Sequence, residues 1–293
     1  MSAEGGGIAP TVAAQLRAAV ARLEAASVPG ARWDAEILLA FCLGRDRTYL
    51  YGHPEAALDP AVQVTYEALL TRRERREPLA YLTGYREFLG LRLQIGPGVL
   101  IPRPETEHLV QFAAERLPVG AKILDVGTGS GCVALGVATL RRDVQVTAVD
   151  AAPEAIRIAR ANAEALGLAD RVRVELGRFP EVGQGLYQGI LSNPPYIPTG
   201  DLAGLEPEVG GFEPRLALDG GGDGLEFVRS LVAEAAGRLS PGGLLALEVG
   251  RGQAEHVAEL LTEAGLWSQI TFLPDLAGIP RVVGAIRRGI PAG

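Results

Sequence analysis

The residues best suited to chemistry in this sequence are consecutive: Ser192, Asn193, Pro194, Pro195 and Tyr196. They follow a short apolar run that predicts a buried strand. Proline lacks an N–H and restricts the residue before it, so the two prolines should stop the strand and hold Asn193 extended. An amide side chain, the Pro194 carbonyl and the Tyr196 ring suit a flat, neutral group that carries an NH₂. The alternative interpretation is a proline-rich turn that only ends a strand.

A glycine-rich turn lies upstream, between a predicted strand and a predicted helix. Gly127, Gly129 and Gly131 would let the backbone approach a ligand closely, and Thr128 and Ser130 lie between them. The third glycine comes one residue earlier than in the dinucleotide fingerprint G-x-G-x-x-G. This spacing disfavours a nicotinamide oxidoreductase and favours a cofactor without a pyrophosphate.

Two acidic residues end strands beside this turn. Asp150 follows the glycines by about 20 residues, where a carboxylate can accept hydrogen bonds from both ribose hydroxyls. Asp125 could receive an ammonium group or orient the glycine turn. The glycine turn and the acidic strand end together indicate a cofactor that contains adenosine.

Composition excludes several classes of protein. The chain has 293 residues, 47% of them hydrophobic, which is enough for a sizeable core. Its net charge of −7 argues against a protein that follows a nucleic-acid backbone. Cys42 and Cys132 are far apart and His53, His108 and His256 are scattered, so we expect a cytoplasmic protein with reduced thiols and no metal site. Neither a signal peptide nor an apolar run of bilayer length is visible.

The chain is predicted to have three parts. Residues 1–77 form a small helical domain, of which residues 1–10 are a frayed tail. Its basic run, at residues 72–77, is interpreted as a solvated helix end, and the alternative is a surface that binds a partner. Residues 78–103 form a hairpin connector. In residues 104–293 strands alternate with helices, which predicts an α/β fold with a parallel sheet of seven strands. No helix separates the last two strands, so they should pair antiparallel.

These patterns resemble a known family. The resemblance rests on five stretches: Asp125-Val-Gly-Thr-Gly-Ser-Gly131, Asp150, Asn193-Pro-Pro-Tyr196, Leu100-Ile-Pro-Arg-Pro-Glu-Thr-Glu107, and Glu213-Pro214 before Ala217-Leu218. The first three are similar to class I S-adenosylmethionine-dependent methyltransferases that act on planar amide or amine nitrogens. With the last two and the N-terminal helices, the chain from about residue 11 to 288 resembles the HemK/PrmC family.

The resemblance implies a Rossmann-like methyltransferase sheet and S-adenosyl-L-methionine as the cofactor, with S-adenosyl-L-homocysteine as the product. It implies that the methyl acceptor is N5 of the glutamine in the Gly-Gly-Gln motif of class 1 peptide chain release factors. The helical domain would then dock this protein substrate. No membrane partner and no direct nucleic-acid binding are expected.

The resemblance also assigns site residues. The cofactor would be bound by Gly127, Thr128, Gly129, Ser130, Gly131, Asp150 and Asn193. Residues 193–196 would hold the glutamine, with Asn193, Pro194 and Tyr196 at the reacting amide and Pro195 beside them. The adenine contact falls on Arg178 or Phe179, because Gly177-Arg178-Phe179 departs from the aromatic or apolar residue that often precedes this phenylalanine.

Three other functions fit part of the pattern. Glutamine methylation of a ribosomal protein would use the same loop. Adenine-N6 methylation of DNA or RNA uses a related loop, but the acidic charge and the lack of a basic, aromatic-bearing recognition domain disfavour it. A non-catalytic binding module is disfavoured by the intact glycines, Asp150 and Asn193.

Overall fold

The computed structural model of the chain describes residues 10–289, so the predicted N-terminal tail lies outside it except for Pro10. The described residues form two compact units. One comprises Met1–Gly84, as far as it is described, with Glu206–Phe212, and the other comprises Tyr85–Leu205 with Glu213–Gly293, again as far as described. The predicted division into 1–77, 78–103 and 104–293 places Glu206–Phe212 in its third part.

The helices, numbered in chain order, are α1 (Val12–Ala25), α2 (Ala31–Leu43), α3 (Arg47–Gly52), α4 (Pro60–Glu74), α5 (Leu79–Thr83), α6 (Thr106–Arg116), α7 (Cys132–Leu140), α8 (Pro153–Ala165), α9 (Pro207–Gly210), α10 (Glu226–Arg238) and α11 (Ala254–Glu263). The strands are β1 (Tyr85–Phe88), β2 (Leu91–Gln94), β3 (Lys122–Val126), β4 (Gln145–Asp150), β5 (Val172–Leu176), β6 (Tyr187–Ser192), β7 (Leu239–Glu248), β8 (Trp267–Pro274) and β9 (Pro280–Arg287). Two short 3₁₀ helices span Thr199–Gly204 and Arg215–Ala217.

The first unit is helical, with α1 to α5 and α9. Local signals start and stop its longer helices: the Asp59 side chain accepts the Ala61 N–H before α4, and Gly44 ends α2 in the left-handed conformation with φ of 60°. The apolar sides of α1, α2 and α4 pack into one core. Within it the Tyr66 hydroxyl donates to the Ala35 carbonyl at 2.9 Å, which satisfies the one polar group of a fully buried ring.

An ion-pair cluster attaches α9 to this unit. Arg73 Nε lies 2.7 Å from Asp34 Oδ2, and Arg73 Nη2 lies 2.8 Å from Glu208 Oε1. Arg76 binds both oxygens of Glu208, each at 2.6 Å. Burial acts to raise the pKa of Glu208, but the hydrogen bonds from Arg76 and Arg73 bring it down to about 2. The interpretation of the basic run as a solvated helix end is therefore wrong for these two arginines, because their carboxylate partner comes from a distant part of the chain.

The second unit contains a seven-stranded sheet in the order β5-β4-β3-β6-β7-β9-β8 and a separate β1-β2 hairpin. Strands β5, β4, β3, β6 and β7 are parallel, and β9 pairs antiparallel with both β7 and β8. This confirms the predicted α/β fold and its terminal antiparallel pair. The central parallel strands are covered by helices and are buried, as Ile123, Leu124 and Ile190 show with 0% exposure.

The strand order determines where the turns that carry the predicted site residues lie. Strand β3 lies between β4 and β6, so the sheet grows in opposite directions from β3. In the register, Val126 at the end of β3 pairs with Val149, and Asp125 pairs with Leu191. The turns that follow β3, β4 and β6 therefore meet at one edge of the sheet.

Candidate active site

A cavity of about 430 Å³ opens at this edge. Of the residues predicted to form the site, seven line it: Gly127, Gly129, Asp150, Arg178, Phe179, Asn193 and Pro195. The other five do not line it: Thr128, Ser130, Gly131, Pro194 and Tyr196. All of these except Gly131 are next to a lining residue in the chain.

The structural reason for glycine differs among the three positions of the turn. Gly127 and Gly129 have φ of 75° and 56°, and no atom lies within 4 Å of the position that a Cβ would occupy. Gly131 has φ of 85°, and its Cβ would lie 3.0 Å from a Leu135 methyl and 3.3 Å from the Ala159 methyl. The first two glycines thus leave open space beside the cavity, whereas the third permits close packing of α7 and α8.

Thr128 and Asp125 fix the shape of the turn. The Thr128 hydroxyl donates to Asp125 Oδ2 at 2.6 Å, and the Ala134 N–H donates to the same oxygen at 3.1 Å. Burial raises the pKa of Asp125 to about 7, although both hydrogen bonds act to lower it. Oδ2 of Asp125 therefore orients the glycine turn, while its Oδ1 is buried with no hydrogen-bond partner among the described residues.

The Ser130 carbonyl has a partner that the sequence does not indicate. Asn162, buried on α8, donates to this carbonyl at 2.9 Å. The same side chain accepts the Gln94 N–H at 2.6 Å and donates to the Gln94 carbonyl at 3.0 Å. One asparagine therefore ties the glycine turn to the edge of β2.

Asp150 is held by backbone N–H groups on both of its oxygens. Oδ2 accepts from Gly129 and Oδ1 accepts from Ala152, both at 2.9 Å. Each carboxylate oxygen can accept more than one hydrogen bond, so the group keeps acceptor capacity at the cavity wall. The carboxylate is thus pre-oriented by the turn that it follows in the sheet.

Arg178 and Phe179 both reach the cavity, in different surroundings. Arg178 is exposed, whereas Phe179 is half-buried and packs against the core of the sheet. Phe227 of α10 also lines the cavity and packs against the same core. Phe227 carries no sequence signal of a site residue, because an aromatic residue on an amphipathic helix looks like an ordinary core residue.

Asn193 is the polar residue at the end of β6. Its Nδ2 donates to Thr106 Oγ1 at 3.1 Å, and its Oδ1 is buried with no hydrogen-bond partner among the described residues. The preceding Ser192 donates to the Val126 carbonyl at 2.7 Å, which ties the end of β6 to β3. An unpaired buried acceptor on a cavity-lining side chain is unusual, and it indicates a ligand that donates a hydrogen bond.

The rest of the proline segment is held from behind. Pro194 is buried, and Gln253 Nε2 donates to the Tyr196 carbonyl at 2.8 Å. Gln253 Oε1 in turn accepts the Gly250 N–H at 2.9 Å. Burial raises the pKa of the Tyr196 hydroxyl to about 12, so it stays protonated at neutral pH.

Another wall of the cavity comes from the chain after Glu213. The buried Glu213 carboxylate accepts the Ile101 N–H at 3.0 Å and pairs with Arg103. Pro214 and Leu216 then line the cavity. The motifs around Arg103 and Glu213 were identified from the sequence, but their pairing was not.

The fold and this site define a methyltransferase of the α/β class. The family model for the methyltransferase small domain matches residues 105–203, and that for the PrmC N-terminal domain matches residues 14–84. A solved methyltransferase structure from Pyrococcus furiosus shares the fold with a TM-score of 0.53 and 24% identity, covering 75% of this chain and 99% of that one.

Two relatives narrow the class. A Geobacter sulfurreducens protein named release factor glutamine methyltransferase is 45% identical over 257 residues, which are 88% of this chain and 90% of that protein. A Moorella thermoacetica protein of the same name is 43% identical over 281 residues, 95% of this chain and 99% of that protein. The chain belongs to the release factor glutamine methyltransferase family, which confirms the resemblance to HemK/PrmC. Within residues 10–289, no helix is both long and apolar enough to cross a membrane.

Proposed function

We propose that this enzyme transfers a methyl group from S-adenosyl-L-methionine to the side-chain N5 of the glutamine in the Gly-Gly-Gln motif of class 1 release factors. The observation that carries the proposal is the unpaired Oδ1 of Asn193, a buried acceptor on a residue that lines the cavity. A primary amide donates two hydrogen bonds and carries no charge, so it suits such an acceptor. The names of the relatives support the release factor as its source.

The residues around the cavity fit the cofactor. Gly127 and Gly129 leave space beside the cavity, and Asp150 offers carboxylate oxygens for the ribose hydroxyls. Phe179 or Arg178 would contact the adenine, since both line the same cavity. When bound, the cofactor supplies a methyl group on a sulfonium, and its transfer replaces one N–H of the amide by an N–CH₃ bond while a proton leaves to water.

The contribution of this chain is orientation and charge. An amide nitrogen is a poor nucleophile because its lone pair is delocalised into the carbonyl. We infer that Asn193 Oδ1 and the Pro194 carbonyl accept the two N–H groups of the substrate amide, which directs the nitrogen face toward the methyl group. The same two oxygens would stabilise positive charge as it develops on the nitrogen. Tyr196 would pack beside the proline turn.

The helical unit is proposed to dock the release factor. Among its described residues none lines the cavity, and three large aromatic side chains are exposed: Trp33 at 54%, Tyr51 at 56% and Phe41 at 39%. The Arg47 guanidinium lies 3.7 Å from the centroid of the Trp33 ring. Exposed aromatic and arginine side chains of this kind are typical of protein-binding surfaces.

Methyl transfer from labelled cofactor tests the function. Intact release factor, the same factor with its motif glutamine replaced by asparagine, a ribosomal protein and duplex DNA are compared side by side. We expect label only on the factor that keeps the glutamine. Label on the ribosomal protein or the DNA, with none on the release factor, would refute the proposal.

Variants of Asn193 test the residue that carries the proposal. Asn193→Ala should reduce single-turnover methyl transfer by roughly 10²–10³-fold, the usual effect of deleting one preorganised polar contact. Asn193→Asp keeps an acceptor oxygen and should be impaired less than Asn193→Ala. An alanine variant with the wild-type rate would remove Asn193 from the mechanism.

The docking role has its own test. Trp33→Ala should raise KM for intact release factor without changing kcat, because the residue is exposed and remote in sequence from the cavity residues. Val64→Ala, at a 72% exposed position on α4, is the matched control. Equal KM values for the two variants would contradict docking through this aromatic surface.

A further inference from the structure

We propose that Gln253 is a positioning residue for methyl transfer, because it holds the Tyr196 carbonyl at the end of the proline segment, residues 193–196. Gln253 immediately precedes α11 and does not line the cavity. It therefore acts through the proline segment and does not touch the substrate. The inference rests on the proposed function, because it concerns the placement of the two acceptor oxygens that the substrate amide would meet.

The proline segment has few ways of being anchored by its own backbone. Its two consecutive prolines have no N–H, so the segment has to be held at its ends or through its carbonyl groups. Just before the segment, Ser192 donates to the Val126 carbonyl at 2.7 Å and so fixes this end to β3. At the carboxyl end, Gln253 Nε2 donates to the Tyr196 carbonyl at 2.8 Å. The glutamine side chain thus supplies a donor where the prolines remove two.

The Gln253 amide has one orientation that suits all of its neighbours. Its Oε1 accepts the Gly250 N–H at 2.9 Å, and a backbone N–H can only donate. Its Nε2 then faces the Tyr196 carbonyl, which can only accept, and lies 3.5 Å from the Gly224 carbonyl. The side chain therefore connects three segments of the second unit: the turn after β7, the proline segment and the loop before α10.

Two glycines leave the space that these contacts occupy. A Cβ on Gly250 would lie 2.7 Å from Gln253 Oε1 and 3.1 Å from Tyr196 Cδ2. A Cβ on Gly224 would lie 2.4 Å from the Tyr196 carbonyl oxygen and 2.7 Å from Gln253 Nε2. Neither position can carry a side chain while Gln253 keeps its contacts, so the local backbone is fitted to this amide.

The chain after the proline segment depends on the same loop. The Ile197 N–H donates to the Leu218 carbonyl at 3.0 Å, and the Gly220 N–H donates to the Ile197 carbonyl at 2.8 Å. Four of the five residues at positions 220–224 are glycine, so this loop has little intrinsic stiffness. Because Gln253 lies against both Gly224 and Tyr196, it fixes the loop and the proline segment together.

A loosened carboxyl end would displace the two proposed acceptors. Asn193 Oδ1 and the Pro194 carbonyl belong to the same stiff segment as Tyr196, so a shift of one end is transmitted along it. A misplacement of about 1 Å can cost roughly 10²-fold in rate. The hydrogen bonds of the Gln253 side chain involve neither the glycine turn nor Asp150, so cofactor binding should be retained.

Two substitutions at Gln253 separate positioning from cofactor binding. Gln253→Glu keeps the size and the acceptor for the Gly250 N–H but opposes the Tyr196 carbonyl with a carboxylate oxygen, whereas Gln253→Ala removes both contacts. We expect kcat on release factor to fall roughly tenfold to hundredfold in each, with a Kd for the cofactor within about threefold of wild type. Gln111→Glu, at an exposed position on α6, is the matched control and should keep the wild-type kcat. A wild-type kcat in Gln253→Glu would overturn the inference.

A substitution at Gly250 tests the same contact from its other side. Gly250 lies outside the left-handed region, so Gly250→Ala adds a methyl against Gln253 Oε1 without straining the backbone. It should lower kcat as the Gln253 variants do, and the loss should not add to that of Gln253→Ala in the double variant. Gly237→Ala on α10, where no atom lies within 4 Å of the Cβ position, is the control. Additive losses would contradict a shared role.

A readout without substrate keeps this inference distinct from the proposed function. Tyr196-Ile197 is the only Tyr-Ile pair in the sequence, so labelling tyrosine carbonyls with ¹³C and isoleucine with ¹⁵N gives one signal for this peptide bond. Its ¹³C shift should move in Gln253→Ala and Gly250→Ala but not in the two controls. An unmoved signal in Gln253→Ala would overturn the inference. A wild type that methylates only another acceptor would refute the proposed function alone, and the variants are then compared on that acceptor.

Discussion

Replacing Asp150 by alanine should weaken cofactor binding for two reasons: the proposed contact with the ribose is lost, and so are the hydrogen bonds by which Asp150 holds the backbone of the site. The first is the direct contact: hydrogen bonds to a charged group contribute about 1.5–3 kcal/mol. This corresponds to a rise in Kd of roughly 10-fold to 160-fold. The second is preorganisation, because Asp150 also accepts the N–H groups of Gly129 and Ala152 at 2.9 Å each. Losing the Gly129 contact leaves the glycine turn less restrained in the protein before it binds.

Asp150→Asn distinguishes the two losses. It keeps one acceptor oxygen for one of the two backbone N–H groups, but its NH₂ opposes the other. We therefore expect a Kd between those of wild type and Asp150→Ala, with a smaller drop in melting temperature. Titration calorimetry with S-adenosylmethionine and with S-adenosylhomocysteine measures both variants.

The control is Asp170→Ala, which removes a carboxylate from an exposed position in the loop before β5. Its affinity should equal that of wild type. If both Asp150 variants bind the cofactor within about twofold of wild type, the ribose contact is absent and the assignment of Asp150 fails.

Three further predictions concern stability. Glu208→Gln should lower the free energy of unfolding of the helical unit by about 1–3 kcal/mol, because Arg73 and Arg76 lose their shared carboxylate. Urea unfolding, monitored through the helix content, measures this change. An unchanged free energy of unfolding would show that the ion pairs do not stabilise the unit. Gly131→Ala should lower the free energy of unfolding by about 1–3 kcal/mol, because Gly131 has φ of 85° and a Cβ would lie 3.0 Å from a methyl of Leu135. A variant with the melting temperature of wild type would contradict the close packing at this position. The pKa of Glu248 is raised from 4.5 to about 7 by folding, so its contribution is fully present below 4.5 and is lost as the pH rises through about 7. Glu248→Gln should therefore gain stability relative to wild type between about pH 5 and about pH 8, and a constant difference across that range would refute the shift.

The parts of the fold that the sequence predicts are those with strong local signals. Apolar runs that alternate with helical patterns predicted the seven strands of the sheet. The absence of a helical pattern between β8 and β9 predicted their antiparallel pairing. The short helices α3 and α5 and the 3₁₀ turns were not predicted, because five or six residues carry too little periodicity.

The parts of the site that could be predicted are those whose backbone conformation requires particular residue types. Glycines suit positive φ and paired prolines end a strand, so these residues indicated the glycine turn and the segment at Asn193. Thr106 carries no comparable sequence signal, since it contacts Asn193 only through tertiary packing, and the two residues are 87 positions apart in the chain.

The helical unit is built from two separate segments of the chain, so it cannot be transferred to another enzyme as one continuous segment. Its compact unit includes Glu206–Phe212, a segment that lies in the chain between the cavity residues Pro195 and Pro214. A gene fusion that joined only the first 84 residues to another methyltransferase would lack α9 and would leave Arg73 and Arg76 without Glu208. Exchange of the helical unit between such enzymes by recombination therefore requires two simultaneous replacements, so helices α1 to α5 and the loop that carries α9 should be inherited together.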